Sequence, residues 1–180
     1  NLSANLPKEV QDAIIAKGVS GLIITAGGSD IAIGMDLAAL QEMNRQANGN
    51  VNLTVTRMNN ATLAGNARAA IGNRPVFDIK ANYGSGKQVQ NFGAGSVSIT
   101  IPYTLSANEN AGNIQAVYVE ANGRVQWLIS SVYDGLNGVL RFSTNHFSTY
   151  GVGYKQDVPS FADIGTHWAK EDIAFVANRG

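Results

Sequence analysis

Val51, Leu53 and Val55 alternate with Asn52, Thr54 and Thr56, so one row of side chains can face a core while the other faces solvent. The stretch reads as a half-buried strand. Further strands are expected in PVFDIKANY (75–83) and GSVSITIPY (95–103), separated by the glycine-rich YGSGKQVQNFGAG. The pattern is clearest from Ile114 onward, where Asn122-Gly123 and Asn137-Gly138 stand between alternating runs. Such dipeptides accept the positive φ angles of tight hairpin turns and predict a β-meander, with HFSTYGVGY (146–154) as its last strand.

Helical periods are fewer. NLPKEVQDAIIAKG (5–18) has Pro7 near a helix start, Val10, Ala13 and Ile14 on one face, and Gly18 as a stop. GLIITAGGSDIAI (21–33) reads as strand, turn at Gly27-Gly28-Ser29, and strand. Asp36 can cap a helix from Leu37 to about Gln46, with Leu37, Leu40 and Met43 inward and Asn48-Gly49 as its end; Asn66–Ile71 is weakly helical. The texture changes at KQDVPS, a polar linker containing Pro159. In FADIGTHWAKEDIAFVANRG (161–180), Thr166 can cap a helix whose Ala169, Ile173, Val176 and Ala177 form one stripe, ended by Gly180. One such helix cannot bury its stripe alone, so it calls for partners. The expectation is a mainly β, sandwich-like domain with short helices (1–155), a linker (156–160) and an incomplete C-terminal helical unit (161–180).

Composition narrows the partners. Lys+Arg and Asp+Glu number 13 each among 180 residues, leaving no net field to favour nucleic acid or an anionic membrane, and neither is expected as a partner. Charged residues are 14% and glycines 20, which suits a turn-rich, neutral β surface of the kind secreted bacterial proteins carry. Cysteine is absent, so disulfides, thiolate zinc sites and thiol catalysis are excluded together. No apolar run is long enough to span a bilayer, and the N-terminus lacks a basic start followed by an apolar stretch. The chain opens without Met and stops at Gly180 in mid-pattern, as an excised piece of something longer would, with any signal peptide outside it.

Phe161-x-Asp163, then His167-Trp168-Ala169, Ile173 and the closing Gly180 resemble the opening of an S-layer homology (SLH) repeat, since all fall in that family's order. The resemblance covers less than half of one repeat. It implies an extracellular location at the cell wall, where three complete repeats usually attach a surface protein to secondary cell-wall polymer. The segment carrying much of that binding would lie downstream, so these residues are not expected to bind polymer themselves. GNRPVFDIK, SVSITIPYT, VYVEANGRVQ and FSTNHFSTYGVGY resemble the β-domain that often precedes SLH repeats in surface proteins of Gram-positive bacteria. The implied role is a structural spacer displaying upstream modules. VSITIPY with the later His-Phe-Ser is also similar to the self-cleaving β-sandwich of netrin-receptor-like and death-domain adaptor proteins, and nucleoporin autoproteolytic domains cut within His-Phe-Ser.

The rival function is therefore autoproteolysis. In a strand, His146 and Ser148 would lie side by side while Phe147 points into the core. A neutral His146 imidazole could take the Ser148 proton, letting Oγ attack the Phe147 carbonyl and form an ester that water cleaves. Such a reaction needs strain at the Phe147–Ser148 peptide and donors for the oxyanion. The plainer reading is that His146 closes a loop, Phe147 fills core and Ser148 starts an exposed alternation with Tyr150 and Val152. As a third reading, Trp127, Tyr103, Tyr118 and Tyr133 would form a sugar-stacking platform, or else pack across strands. Gly84-Ser85-Gly86-Lys87 lacks phosphate-loop spacing and reads as a hairpin loop. Asp78, Glu109, Glu120 and Asp134 show no paired spacing, and His167 fits docking better than metal ligation. No metal or cofactor is expected.

Overall fold

The alternating runs pair into two antiparallel sheets in a computed structural model, which describes residues 2–25, 31–155, 161, 163–177 and 179. The first half holds β1 (Leu2–Leu6), α1 (Lys8–Ala16), β2 (Gly21–Thr25), β3 (Ala32–Asp36), α2 (Leu37–Ala47) and β4 (Val51–Arg57). After α3 (Gly65–Ile71) come β5 (Val76–Tyr83), β6 (Lys87–Gln88), β7 (Val97–Pro102), β8 (Ile114–Val119) and β9 (Val125–Leu128). β10 (Val132–Asp134), β11 (Val139–Thr144), β12 (Thr149–Tyr154) and the separate α4 (Lys170–Ala177) complete the chain. One sheet runs β1-β4-β5-β12-β8-β9, with β6 paired to the end of β5; the other runs β10-β11-β7-β3-β2. The chain is mainly β and sandwich-like, with short helices and a short C-terminal helix.

The core lies between the sheets. Val51, Leu53 and Val55 of β4 face Ile33 and Met35 of β3 and Ile99 and Ile101 of β7 within one buried cluster, which also takes Leu40 and Met43 of α2. Val51, Leu53, Val55, Leu40 and Met43 are residues the period-of-two and helical patterns mark as inward, whereas Leu37, expected with them, is only half-buried. α2 carries the chain from one sheet to the other. Asp36 fixes its start, since Oδ1 accepts from Ala39 N at 2.7 Å while Oδ2 accepts from Ser96 N at 2.9 Å, and Asn48 ends it at a left-handed φ of 43°. α1 differs from expectation. Val10 and Ala13 are exposed, and the buried residue is Gln11, whose amide donates to Leu6 O and Gly49 O. β1 pairs with β4 although no pattern announced it; its five residues are too few to compete with the adjoining helix signal.

The expected meander is corrected in its connections. β8–β9 and β10–β11 are hairpins, with Gly123 and Gly138 at positive φ as the Asn-Gly dipeptides foretold. Yet β9 and β10 lie in different sheets. The corner is Ser131, fully buried, whose Oγ donates to Leu128 O at 2.6 Å and accepts from Ala116 N at 2.9 Å. β11 and β12 are likewise split between sheets, so the last strand begins at Thr149, and His146-Phe147-Ser148 belongs to the crossover before it. Tyr150 and Val152, expected on an exposed alternation, are fully buried.

The turn at Gly27-Gly28-Ser29, the linker 156–160 and Gly180 lie outside the described residues. α4 begins at Lys170, four residues after Thr166, and its approach is held instead by Ala169 N donating to His167 Nδ1 at 3.2 Å. The helix packs beside the 3-10 turn Ala111–Asn113. Arg179 anchors its end, donating to Ile129 O (2.9 Å), Ser131 O (2.7 Å) and Phe175 O (3.1 Å), with its guanidinium 3.6 Å from the centre of the Phe175 ring.

Asp36 serves both a helix start and a cross-connection, so Asp36→Ala should lower unfolding free energy by about 1–2 kcal/mol in urea titration, and Asp36→Asn by less, since one acceptor survives. An alanine variant as stable as the parent would show that the cap is dispensable.

Candidate functional site

Tyr150 sets the shape of the β11–β12 crossover. Its ring is fully buried 5.2 Å from Phe142 and 5.6 Å from Tyr118, and its hydroxyl donates to His146 O at 2.9 Å and bonds Thr144 Oγ1 at 2.8 Å. Burial raises the phenol pKa, so the hydroxyl stays protonated and able to donate. Phe147 packs edge-on to Phe92 at 4.8 Å, the core-filling role that the plainer reading gave it.

His146 lies edge-on to Tyr118 at 4.9 Å, and burial lowers its pKa, which favours the neutral imidazole. Its Nδ1 sits 3.2 Å from Asn145 Oδ1 and 3.4 Å from Thr144 Oγ1. Ser148 makes no hydrogen bond to this ring. It lines a separate hollow with Asp78, Glu120 and Thr149, whose walls do not include His146, and its carbonyl accepts from Ile79 N at 3.0 Å. Among the described residues no donor reaches the Phe147 carbonyl. The structure thus brings the two residues into one loop without joining base, nucleophile and oxyanion donors.

The aromatic residues considered as a platform do not share a surface. Tyr118 packs against the core between the sheets, and Tyr103 and Tyr133 pair with each other at 6.3 Å, again against that core. Trp127 belongs to a second cluster on the opposite face of the first sheet, where Leu63, Ala67 and Ile71 cover Val76, Val117 and Val119. A Cβ on Gly153 would lie 2.6 Å from Trp127 Cζ3, and one on Gly151 would lie 2.9 Å from Ile71 Cδ1. These two glycines of β12 let the indole and α3 lie directly on the strand. The Gly-x-Gly spacing is the sequence signal for this face.

An open cleft of about 540 Å³ runs beside that indole, lined by Asn66, Ala69 and Ala70 of α3, Arg124, Val125 and Trp127 around β9, and Tyr154 and Lys155 at the end of β12. Its wall holds two cations, an amide and the Trp127 indole, and no carboxylate among the described residues; Tyr154 borders it at the strand end, with its ring packed against the core between the sheets. Tyr154 is held in place from behind. The Arg74 guanidinium stands 4.8 Å from its ring centre and is fixed by Glu109, which accepts from Arg74 Nε at 2.6 Å and from the Tyr103 hydroxyl and Ser106 N. Burial pushes the Glu109 carboxyl upward, but these donors outweigh it and leave the pKa below 4.5.

The other carboxylates have separate partners: Asp134 with Arg141 and Asn137, Asp78 with Lys80, Glu120 with Asn122 and Gln126. Among the described residues no three His, Asp or Glu side chains gather as a metal ion would need, and no helix is long and apolar enough to cross a membrane. Phe161, Asp163, His167 and Trp168 are exposed, with the His167 and Trp168 rings stacked at 5.6 Å, while Ala169 is half-buried.

Fold and site together define a mainly β, sandwich-like domain with a basic, aromatic cleft on the outer face of one sheet. No family model matches the chain, and no curated protein matches it.

Two measurements follow. Glu109→Gln should destabilise by about 1–3 kcal/mol at neutral pH, because it removes the charge that Arg74 faces in a half-closed site. Since the native carboxyl titrates below the unfolded value of 4.5, its contribution is complete above that value and fades as pH falls through the native one. The gap between parent and variant should therefore narrow on acidification; a constant gap would assign the loss to packing. Second, intact mass after prolonged neutral incubation should remain a single 19.0 kDa species, with or without hydroxylamine. Fragments divided after Phe147 would reveal self-cleavage.

Proposed function

We propose that the sandwich is an extracellular spacer domain of a cell-wall-anchored surface protein of the S-layer type, placed beside SLH repeats that hold secondary cell-wall polymer. The observation that carries this reading is the order Phe161-x-Asp163, His167-Trp168-Ala169 directly ahead of α4, on a segment that leaves its large apolar residues open. Trp168 is 89% exposed and Val176 65%. A segment that leaves such side chains in water suits a unit that complete repeats would cover. The evenly balanced charge and the absence of cysteine agree with a neutral surface outside the cell. In this role Arg179 would set how the anchoring unit sits against the sandwich.

The rival of self-cleavage at Phe147–Ser148 draws no support from the hydrogen bonding of the crossover loop. Saccharide binding has the outer cleft in its favour.

Antibodies raised against residues 2–155 should label intact, unpermeabilised cells of the source organism. When the encoding gene is truncated after Lys155, the label should leave the cells and appear in the medium. Label that requires permeabilisation would overturn the reading.

A further inference from the structure

We propose that the cleft between α3, β9 and the end of β12 binds an acidic oligosaccharide, with a sugar ring stacked on Trp127 and its carboxylate or phosphate met by Arg124. The inference goes beyond the spacer role and does not depend on it. Pyranose rings present flat C–H faces that pack on an indole, and Trp127 is a half-buried indole laid on glycine backbone at the margin of an open cleft. A ring seated there needs no rearrangement of the sheet, because Gly153 and Val117 already fix the plane beneath the indole.

The polar lining selects the charge. The Arg124 guanidinium makes no hydrogen bond among the described residues; its backbone N donates to Asn122 Oδ1 at 2.8 Å, which holds the turn that presents it. Glu120 feels the Arg124 charge but accepts its hydrogen bonds from Gln126 and Asn122, at 2.6 and 3.0 Å. The Asn66 carboxamide, exposed across the cleft, is also without a hydrogen bond among the described residues. A guanidinium meets a carboxylate or phosphate through paired, charge-assisted hydrogen bonds, while an amide suits sugar hydroxyls. Arg74, already balanced by Glu109, serves to seat Tyr154 and is not counted as a ligand group.

Stacking rings and cations also describe single-stranded nucleic acid sites. Here the 13 acidic residues balance the 13 basic ones, so a polyanion as densely charged as nucleic acid gains nothing beyond this one cleft, whereas a short acidic sugar needs only the cleft.

The test uses the full chain carrying Trp168→Phe, which removes the exposed second indole and leaves Trp127 as the only tryptophan reporter. Tetragalacturonate and a mannose-6-phosphate oligosaccharide distinguish carboxylate from phosphate. Cellotetraose is the neutral control, and oligothymidylate the nucleic-acid control. The expected result is a saturable change in Trp127 emission with at least one acidic sugar, weakened roughly tenfold or more by Arg124→Gln. Arg124 is exposed, so circular dichroism should show the variant folded. Four results overturn the proposal: no response to either acidic sugar, equal affinity for cellotetraose, affinity indifferent to Arg124→Gln, or tighter binding of oligothymidylate. None of these bears on where the protein resides, which the antibody experiment decides separately.

Discussion

Both faces of β12 are buried, and most of the molecule is arranged around that fact. Its inward side chains, Tyr150 and Val152, meet the second sheet; its outward positions, Gly151 and Gly153, carry no side chain and receive Ile71 and Trp127. A strand of large residues on one side and glycines on the other can sit mid-sheet with an additional layer laid against it. α3 thereby becomes a third layer, and the indole is fixed in one plane with little loss of freedom left for a ligand to bring about.

The same strand controls the loop that leads into it. Tyr150 reaches back to His146 O and Thr144, so a phenol in the core dictates the path of residues whose sequence suggested chemistry. His146 is neutral by burial, as a base would be, yet its ring is occupied with Thr144, Asn145 and two tyrosines. The loop has the residues for proton transfer and an arrangement that serves chain reversal between sheets. The outer cleft is the converse. Its chemistry comes from residues far apart in sequence, Asn66 on α3 and Arg124 and Trp127 around β9, which no short motif links.

A spacer that carries a shallow acidic-sugar site would combine two roles without conflict, since the cleft lies on the outer face of one sheet while α4 docks by Arg179 at the corner between sheets. The partly buried Arg74–Glu109 pair joins the cleft wall to the loop after β7, so the site is braced by the framework and not by a mobile flap.

Local pattern determined much. Period-two alternation marked β4 with its inward residues and β5, β7 and β8 as strands, Asn-Gly marked both hairpins, and Asp36 with Asn48 marked the ends of α2, because each depends on side chains within a few residues. The sequence also carried the Phe-x-Asp and His-Trp-Ala order. Only the tertiary structure decided which strands pair. Alternation says which face of a strand is apolar but not which neighbour it meets, so the split between β9 and β10 at Ser131, the crossover at 145–148 and the pairing of β1 were not legible. For the same reason Gln11, and not Val10, took the buried side of α1. The outer cleft was the least legible of all. Its indole, guanidinium and amide converge through the β8 ladder and the bare backbone of Gly153, and contacts made at that distance along the chain leave no periodic trace in the sequence.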